Sequence, residues 1–241
     1  NDWHIDEWCG PFPGRYIPTA VLPLWDIDAT LRELGRLVKK GCRSVTFPSN
    51  PSIKGLKPIH DPVWEPFWAF CNDHHVVLNC HIGTGQAPLY ASDQSPISAW
   101  ISSLPMAIST DASDLLHLRA LLRYPNLKIV IGEAGLGWIP YVLQHMDLEW
   151  EDQFKDLDLK MKPSEYWHRQ FYATYQTDPV GIRLLDLLGE DNVMWGSDYP
   201  HPDGIWPDSQ EFLERELSGV TPEVRRKVTR DNAMRLYHLG N

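Results

Sequence analysis

Asn192–Gly204, NVMWGSDYPHPDG, is the stretch on which the fold turns. A short apolar run, Val193-Met194-Trp195, stops at Gly196 and delivers Ser197, Asp198, Tyr199 and His201 in quick succession. A carboxylate at the C-terminal end of a buried strand, followed at once by polar and aromatic residues, is how a parallel barrel presents chemistry at its open face. Asp198 is therefore a candidate metal ligand or general base. Taken alone, it reads equally well as a cap on the turn before Pro200.

The same pattern repeats upstream of this strand. Apolar runs at Tyr16–Leu24, Arg43–Pro48, Val76–His81, Lys128–Glu133 and Phe171–Thr177 alternate with amphipathic segments. In Asp28–Lys40, Leu31, Leu34, Leu37 and Val38 share a helical face and Gly41 is a stop. Asp61 and Pro62 are an N-cap and first-turn proline for a helix reaching Asp73. Ile82–Thr110, rich in Ser, Pro and Gly, reads as a long loop before a helix over Asp111–Arg123. Helices follow over Gly137–Phe154 and Val180–Leu188, and in the tail over Ser209–Gly219 and Thr221–Leu239. Near-continuous apolar strands alternating with helices predict an α/β fold with a parallel sheet. No linker or short repeat divides the chain, so 1–241 reads as one domain. The pattern yields six β/α units, where a closed barrel of the (β/α)8 kind needs eight. The two absent units belong at the N-terminus, where the first residues read as the end of a helix.

Composition sets outer bounds. The chain has 241 residues, 43% hydrophobic and 22% charged, with a net charge of −10. That balance argues against nucleic acid and anionic membranes, which want a basic face. No apolar run approaches the ~20 residues of a membrane span. The opening NDWHIDEWCG has neither the basic start nor the apolar centre of a signal peptide. Four cysteines, Cys9, Cys42, Cys71 and Cys80, form no CxxC pair and read as free thiols of a cytoplasmic protein. Most of the 11 tryptophans read as packing.

The chemistry gathers at strand ends. His81 ends the third apolar run, Glu133 the fourth and Asp198 the sixth, each beside glycine. Singly, His81 reads as a hydrogen-bonded core histidine and Glu133 as a helix-capping carboxylate. Equivalent placement on one parallel sheet makes the three converge if the sheet curls. A His, Glu and Asp set suits a divalent ion, zinc first and manganese second, with an open position. Such an ion lowers the pKa of its water and supplies hydroxide near neutral pH. His201, three residues past Asp198, is placed to bind a substrate carboxylate or to orient Asp198. Trp138 and Tyr199, each close behind a candidate catalytic residue, are expected to line the pocket mouth. There is no GxSxG elbow, and GEAGLGW is not a dinucleotide fingerprint.

WGSDYPH, HIGTG and GEAGLGWIPY, with NDWHIDEWCGPFPGRYIP and IHDPVWEPFWAFC, resemble the amidohydrolase-related family. More narrowly, they resemble the branch holding α-amino-β-carboxymuconate-ε-semialdehyde decarboxylase and γ-resorcylate decarboxylase. The resemblance implies a metal-dependent distorted TIM barrel. It implies His81 and Asp198 as metal ligands from the fifth and eighth barrel strands, so that the six strands here are the third to eighth. Two features depart from the family. The ligand pair of the first strand is absent, and Glu133 stands where the family carries an acid–base histidine. Two readings follow. One is a metal-dependent hydrolase or decarboxylase of a small cyclic or carboxylated substrate, working through a metal-activated water with Glu133 and Asp198 as catalytic groups. The other is a non-catalytic or split-barrel remnant, completed by a second copy or by an N-terminal fragment, since its outer strands would otherwise present bare edges.

Overall fold

The computed structural model describes residues 1–85, 90–156 and 159–239. Six strands form one parallel sheet in chain order: β1 (Thr19–Ala20), β2 (Ser44–Thr46), β3 (Val77–His81), β4 (Lys128–Gly132), β5 (Phe171–Tyr175) and β6 (Val193–Trp195). Ser44 lies opposite Val77, Val77 opposite Lys128, Ile129 opposite Phe171 and Ala173 opposite Val193. A doubly wound sheet reverses strand order at a switch point, whereas a barrel adds each strand beside the last. Unbroken chain order is the barrel signature. Among the described residues, β1 and β6 each pair on one side only.

The pleat sorts the strand residues between two cores. Leu78, Cys80, Ile129, Ile131, Phe171, Ala173 and Val193 point outward into the main core beneath the helices. Val77, Val130 and Met194 point inward, where Leu236, Ala233 and Tyr237 of the C-terminal segment pack on them. The same inward register carries Asn79 and His81 on β3, two and four residues beyond Val77. The Tyr237 hydroxyl meets Asn79 Oδ1 at 2.5 Å inside the curl of the sheet.

The outer helices start where the side chains dictate. Asp26 caps α1 (Ile27–Lys39), its carboxylate accepting from the Ala29 amide. Asp61 accepts from the Val63 amide at 2.9 Å, and Pro62 opens the turn that leads into α2 (Glu65–His74). Trp64, Phe67 and Trp68 close around Phe47 with ring centroids 5.4–5.5 Å away. These tryptophans are packing residues.

The structure departs from the sequence reading most at the first strand and at the long loop, and elsewhere mainly in element boundaries. The first strand shrinks to Thr19–Ala20. Pro18 and Pro23 offer no N–H to a ladder, so pairing cannot extend through them. The stretch read as a loop up to Thr110 contains most of α3 (Ile97–Leu116), although part of that stretch, 86–89, lies outside the described residues. Pro96 stands at the N-cap of α3, and Pro105 sits inside it. Two prolines and six serines over 92–109 hid a helix whose buried face is Ile108, Ala112, Leu115 and Leu116. The rest follows as α4 (Ala120–Arg123), α5 (Ile139–Glu149), α6 (Pro163–Gln170), α7 (Pro179–Arg183), α8 (Leu185–Leu188), α9 (Ser209–Glu216), α10 (Pro222–Arg226) and α11 (Asn232–Leu236). Among the described residues, no helix is long and apolar enough to cross a membrane.

Candidate metal centre

Three strand ends bring the chemistry together. On β3, the His81 ring lies at the C-terminal rim. Its Nδ1 is 2.6 Å from the Ile82 carbonyl, which can only accept, so Nδ1 carries a proton. Its Nε2 lies 2.5 Å from Glu133 Oε2. Glu133 follows β4 directly and adopts φ 57°, a left-handed conformation that a residue with a Cβ seldom takes. Its backbone N–H donates to Thr174 Oγ1 of β5 at 2.9 Å.

Beyond β6, Asp198 also adopts φ 57°. The loop after it folds back on itself. His201 N–H donates to the Asp198 carbonyl at 2.8 Å, Gly204 N–H to the His201 carbonyl at 2.9 Å, and Ile205 N–H to the Ser197 carbonyl at 3.0 Å. Gly204 is required here, because a Cβ would stand 2.9 Å from the Asp198 and His201 carbonyl oxygens. The turn sets His201 Nδ1 3.0 Å from Asp198 Oδ2.

Glu133, Asp198 and His201 each offer a ligand atom within 4.8 Å of the other two. The carboxylates are sunk, with side-chain exposures of 28% and 22%, while His81 and His201 stand at the rim with 55% and 58%. Asp198 Oδ2 is buried without a hydrogen-bond partner, since the neighbouring His201 nitrogen is out of alignment. That nitrogen accepts from the Asp203 amide at 3.3 Å, so its single lone pair is engaged there, and holding an ion through it would mean giving up that long bond. Two electron-rich atoms 3.0 Å apart with no proton aligned between them suit a cation. Carboxylate, carboxylate and imidazole together are a donor set for manganese or zinc.

The remaining sequence candidates are Trp138 and Tyr199. Trp138 packs against the main core, with Nε1 donating to the Ala134 carbonyl at 2.7 Å. Tyr199 is exposed and meets Trp206 edge-to-face, with ring centroids 5.0 Å apart. Thr174 and Trp206 were not anticipated. Thr174 alternates with buried neighbours on β5, and only the strand register shows that its hydroxyl meets the Glu133 amide. Cavities of 720 and 640 Å³ open between the outer helices around Arg183 and Val220, and neither is lined by any of the four site residues.

Residues 1–239 match the Amidohydrolase family (Amidohydro_2), and the chain belongs to it. Its relatives include the gamma-resorcylate decarboxylase of Rhizobium sp. (strain MTP-10005), 24% identical over 266 residues, which span 99% of this chain and 75% of that one. The 2-amino-3-carboxymuconate-6-semialdehyde decarboxylase of Dictyostelium discoideum is 24% identical across 92% of this chain and 62% of its own length. Among solved structures, the dihydroxybenzoic acid decarboxylase of Polaromonas sp. JS666, with bound manganese and the inhibitor 2-nitroresorcinol, superposes with a TM-score of 0.76. It is 22% identical and is matched over 98% of this chain and 73% of its own. The barrel fold inferred from strand order is therefore the fold of this family.

Proposed function

We propose that this protein is a metal-dependent decarboxylase of a small carboxylated aromatic compound. In this reading Asp198, Glu133 and His201 hold a divalent ion, manganese or zinc. The observation that carries it is the buried, unpartnered Asp198 Oδ2 among three mutually close ligand atoms. When bound, the ion supplies Lewis-acid polarisation of substrate oxygens. The decarboxylase relatives support the reaction class over hydrolysis.

His81 and Glu133 take the proton chemistry. Because Nδ1 is committed to the Ile82 carbonyl, Nε2 at 2.5 Å from Glu133 Oε2 is the ring nitrogen placed to pass a proton to or from that carboxylate. Loss of CO2 leaves an electron pair on a ring carbon, and that carbon must be protonated. In this reading the His81–Glu133 pair relays that proton at the rim of the sheet. Glu133 keeps a second oxygen for the ion. A ligand role for His81, as the resemblance implies, would require Nε2 to leave Glu133. Tyr199, exposed beside the same loop, offers an aromatic edge to the substrate ring.

The test is Mn2+ titration by calorimetry, together with CO2 release from a panel of hydroxylated benzoates. Wild type should bind about one equivalent, Asp198→Asn should bind none, and His81→Gln should bind Mn2+ but lose turnover. Absence of Mn2+ and Zn2+ binding by the wild type, or full turnover by His81→Gln, would overturn the reading.

A further inference from the structure

Glu133 shares with Asp198 a left-handed backbone, and a glutamate tolerates that conformation less readily than an aspartate. Something must hold it there. On its N-terminal side, the Thr174 hydroxyl takes the Glu133 amide. On its C-terminal side, the hold comes from one carboxylate on the loop after β5. Asp178 Oδ2 accepts from the Leu136 amide at 2.6 Å and the Gly137 amide at 2.8 Å. Its Oδ1 accepts from the Gly181 amide at 2.7 Å, capping α7. The Asp178 amide in turn donates to Glu216 Oε1 of α9 at 2.6 Å.

The fit leaves no slack. A Cβ on Gly135, which has φ 67°, would stand 3.2 Å from Asp178 Oδ2. One on Gly137 would stand 3.1 Å from Val180 Cγ1, and one on Gly181 would come within 2.2 Å of Leu136 Cβ. Leu136 itself is fully buried. Segment 135–137 is thus pressed onto the start of α7 and tied there by Asp178.

We infer that Asp178 is a positioning residue for the metal centre, a latch that holds the Glu133 loop in its left-handed turn from outside the site. It acts through Glu133, and the inference rests on the metal reading given above. Groups that orient metal ligands from behind typically change metal affinity by about 10–100-fold when removed. Capping α7 is a separate task of the same side chain, and the two can be parted. Serine is as good an N-cap as aspartate, but its single oxygen cannot serve Gly181 and also reach Leu136 and Gly137.

The experiment compares Asp178→Ser, Asp178→Asn and a control, Asp26→Ala, which removes the cap of α1. Mn2+ affinity is measured by calorimetry, and amide exchange over residues 133–139 by mass spectrometry. Asp178→Ser should keep the α7 cap but melt earlier for the loss of its bonds to Leu136 and Gly137, bind Mn2+ at least about tenfold more weakly and exchange faster over 133–139. Asp178→Asn exchanges one acceptor for a donor at constant size, and it should show the same loss. Asp26→Ala should melt earlier with unchanged Mn2+ affinity. Wild-type Mn2+ affinity in either Asp178 variant would overturn the positioning role. Unchanged exchange over 133–139 would overturn the latch whatever the metal result. A wild type that binds no Mn2+ but loosens over 133–139 on substitution would refute the metal reading and leave the latch standing.

Discussion

Asn232→Ala should be among the more damaging single substitutions on the C-terminal segment. Asn232 is fully buried at the start of α11. Its amide donates to the carbonyls of Glu190 and Val193, both at 2.7 Å, and so clamps the segment to the first residue of β6. Its Oδ1 accepts from Arg235 at 3.1 Å, but that guanidinium is half exposed and can turn to water. Each net hydrogen bond contributes about 1 kcal/mol, and a buried carbonyl stripped of its partner adds a penalty of about 1 kcal/mol. The loss is therefore about 3 kcal/mol. For a chain of this size that lowers the melting temperature by roughly 6–12 °C. Urea unfolding should show a lower midpoint with an unchanged slope. Asn232→Asp should be worse, since it sets a carboxylate oxygen against two carbonyl oxygens. A loss below about 1 kcal/mol for Asn232→Ala would refute the assignment of the clamp.

Other perturbations have equally definite outcomes. Gly85→Ala drives a Cβ to 1.6 Å from Asp111 Oδ2 and 2.1 Å from Ser49 Oγ. It should destabilise by about 1–3 kcal/mol, and a neutral melting curve would contradict the packing. The Arg123 guanidinium, bonded to Glu65 through Nε and Nη2, holds the Glu65 carboxyl below its ordinary value against some desolvation, with Tyr124 assisting. A depressed carboxylate adds stability that is present above its unfolded pKa and lost as pH falls through the folded one. The stability gap between wild type and Glu65→Gln should therefore be present at neutral pH and close below about pH 4.3, and a gap that widens in acid would contradict the sign. All four cysteines are buried, and burial, aided by the Asp111 charge, pushes Cys80 up to about 12. Thiol reagents at pH 8 should label the native protein only as fast as it unfolds, and a rapid stoichiometric phase would show that one of these thiols is accessible.

Much of the fold was legible because it rests on strand-length apolar runs. The end of β6 reads directly from VMWGSD, and β3 and β4 from VVLNCH and KIVIGE. What failed was punctuation. Proline marks a helix start as readily as a loop, and Pro96 and Pro105 were read as the second when Pro96 served the first. At the site, His81, Glu133 and Asp198 were found because strand ends are countable. His201 was assigned to the substrate or to orienting Asp198, and the structure turns its ring into the group of Glu133 and Asp198. Asp178 falls between the strand read to Thr177 and the helix read from Val180, although Asp178-Pro179 carries the same cap-and-proline signature as Asp61-Pro62. Hydrogen bonds between loops forty residues apart have no period, so no pattern in the chain announces them.

The shared left-handed turn at Glu133 and Asp198 has a consequence for engineering. Holding a side-chain-bearing residue in that conformation costs of order 1 kcal/mol, which glycine would not incur. A library screened only for heat resistance would therefore favour glycine at both positions and, on the metal reading proposed above, enrich clones that are sturdier and chemically silent. On that reading, activity and robustness are set against each other at these two positions. Any stabilisation campaign on this protein should hold those two invariant and draw its gains from the outer helices.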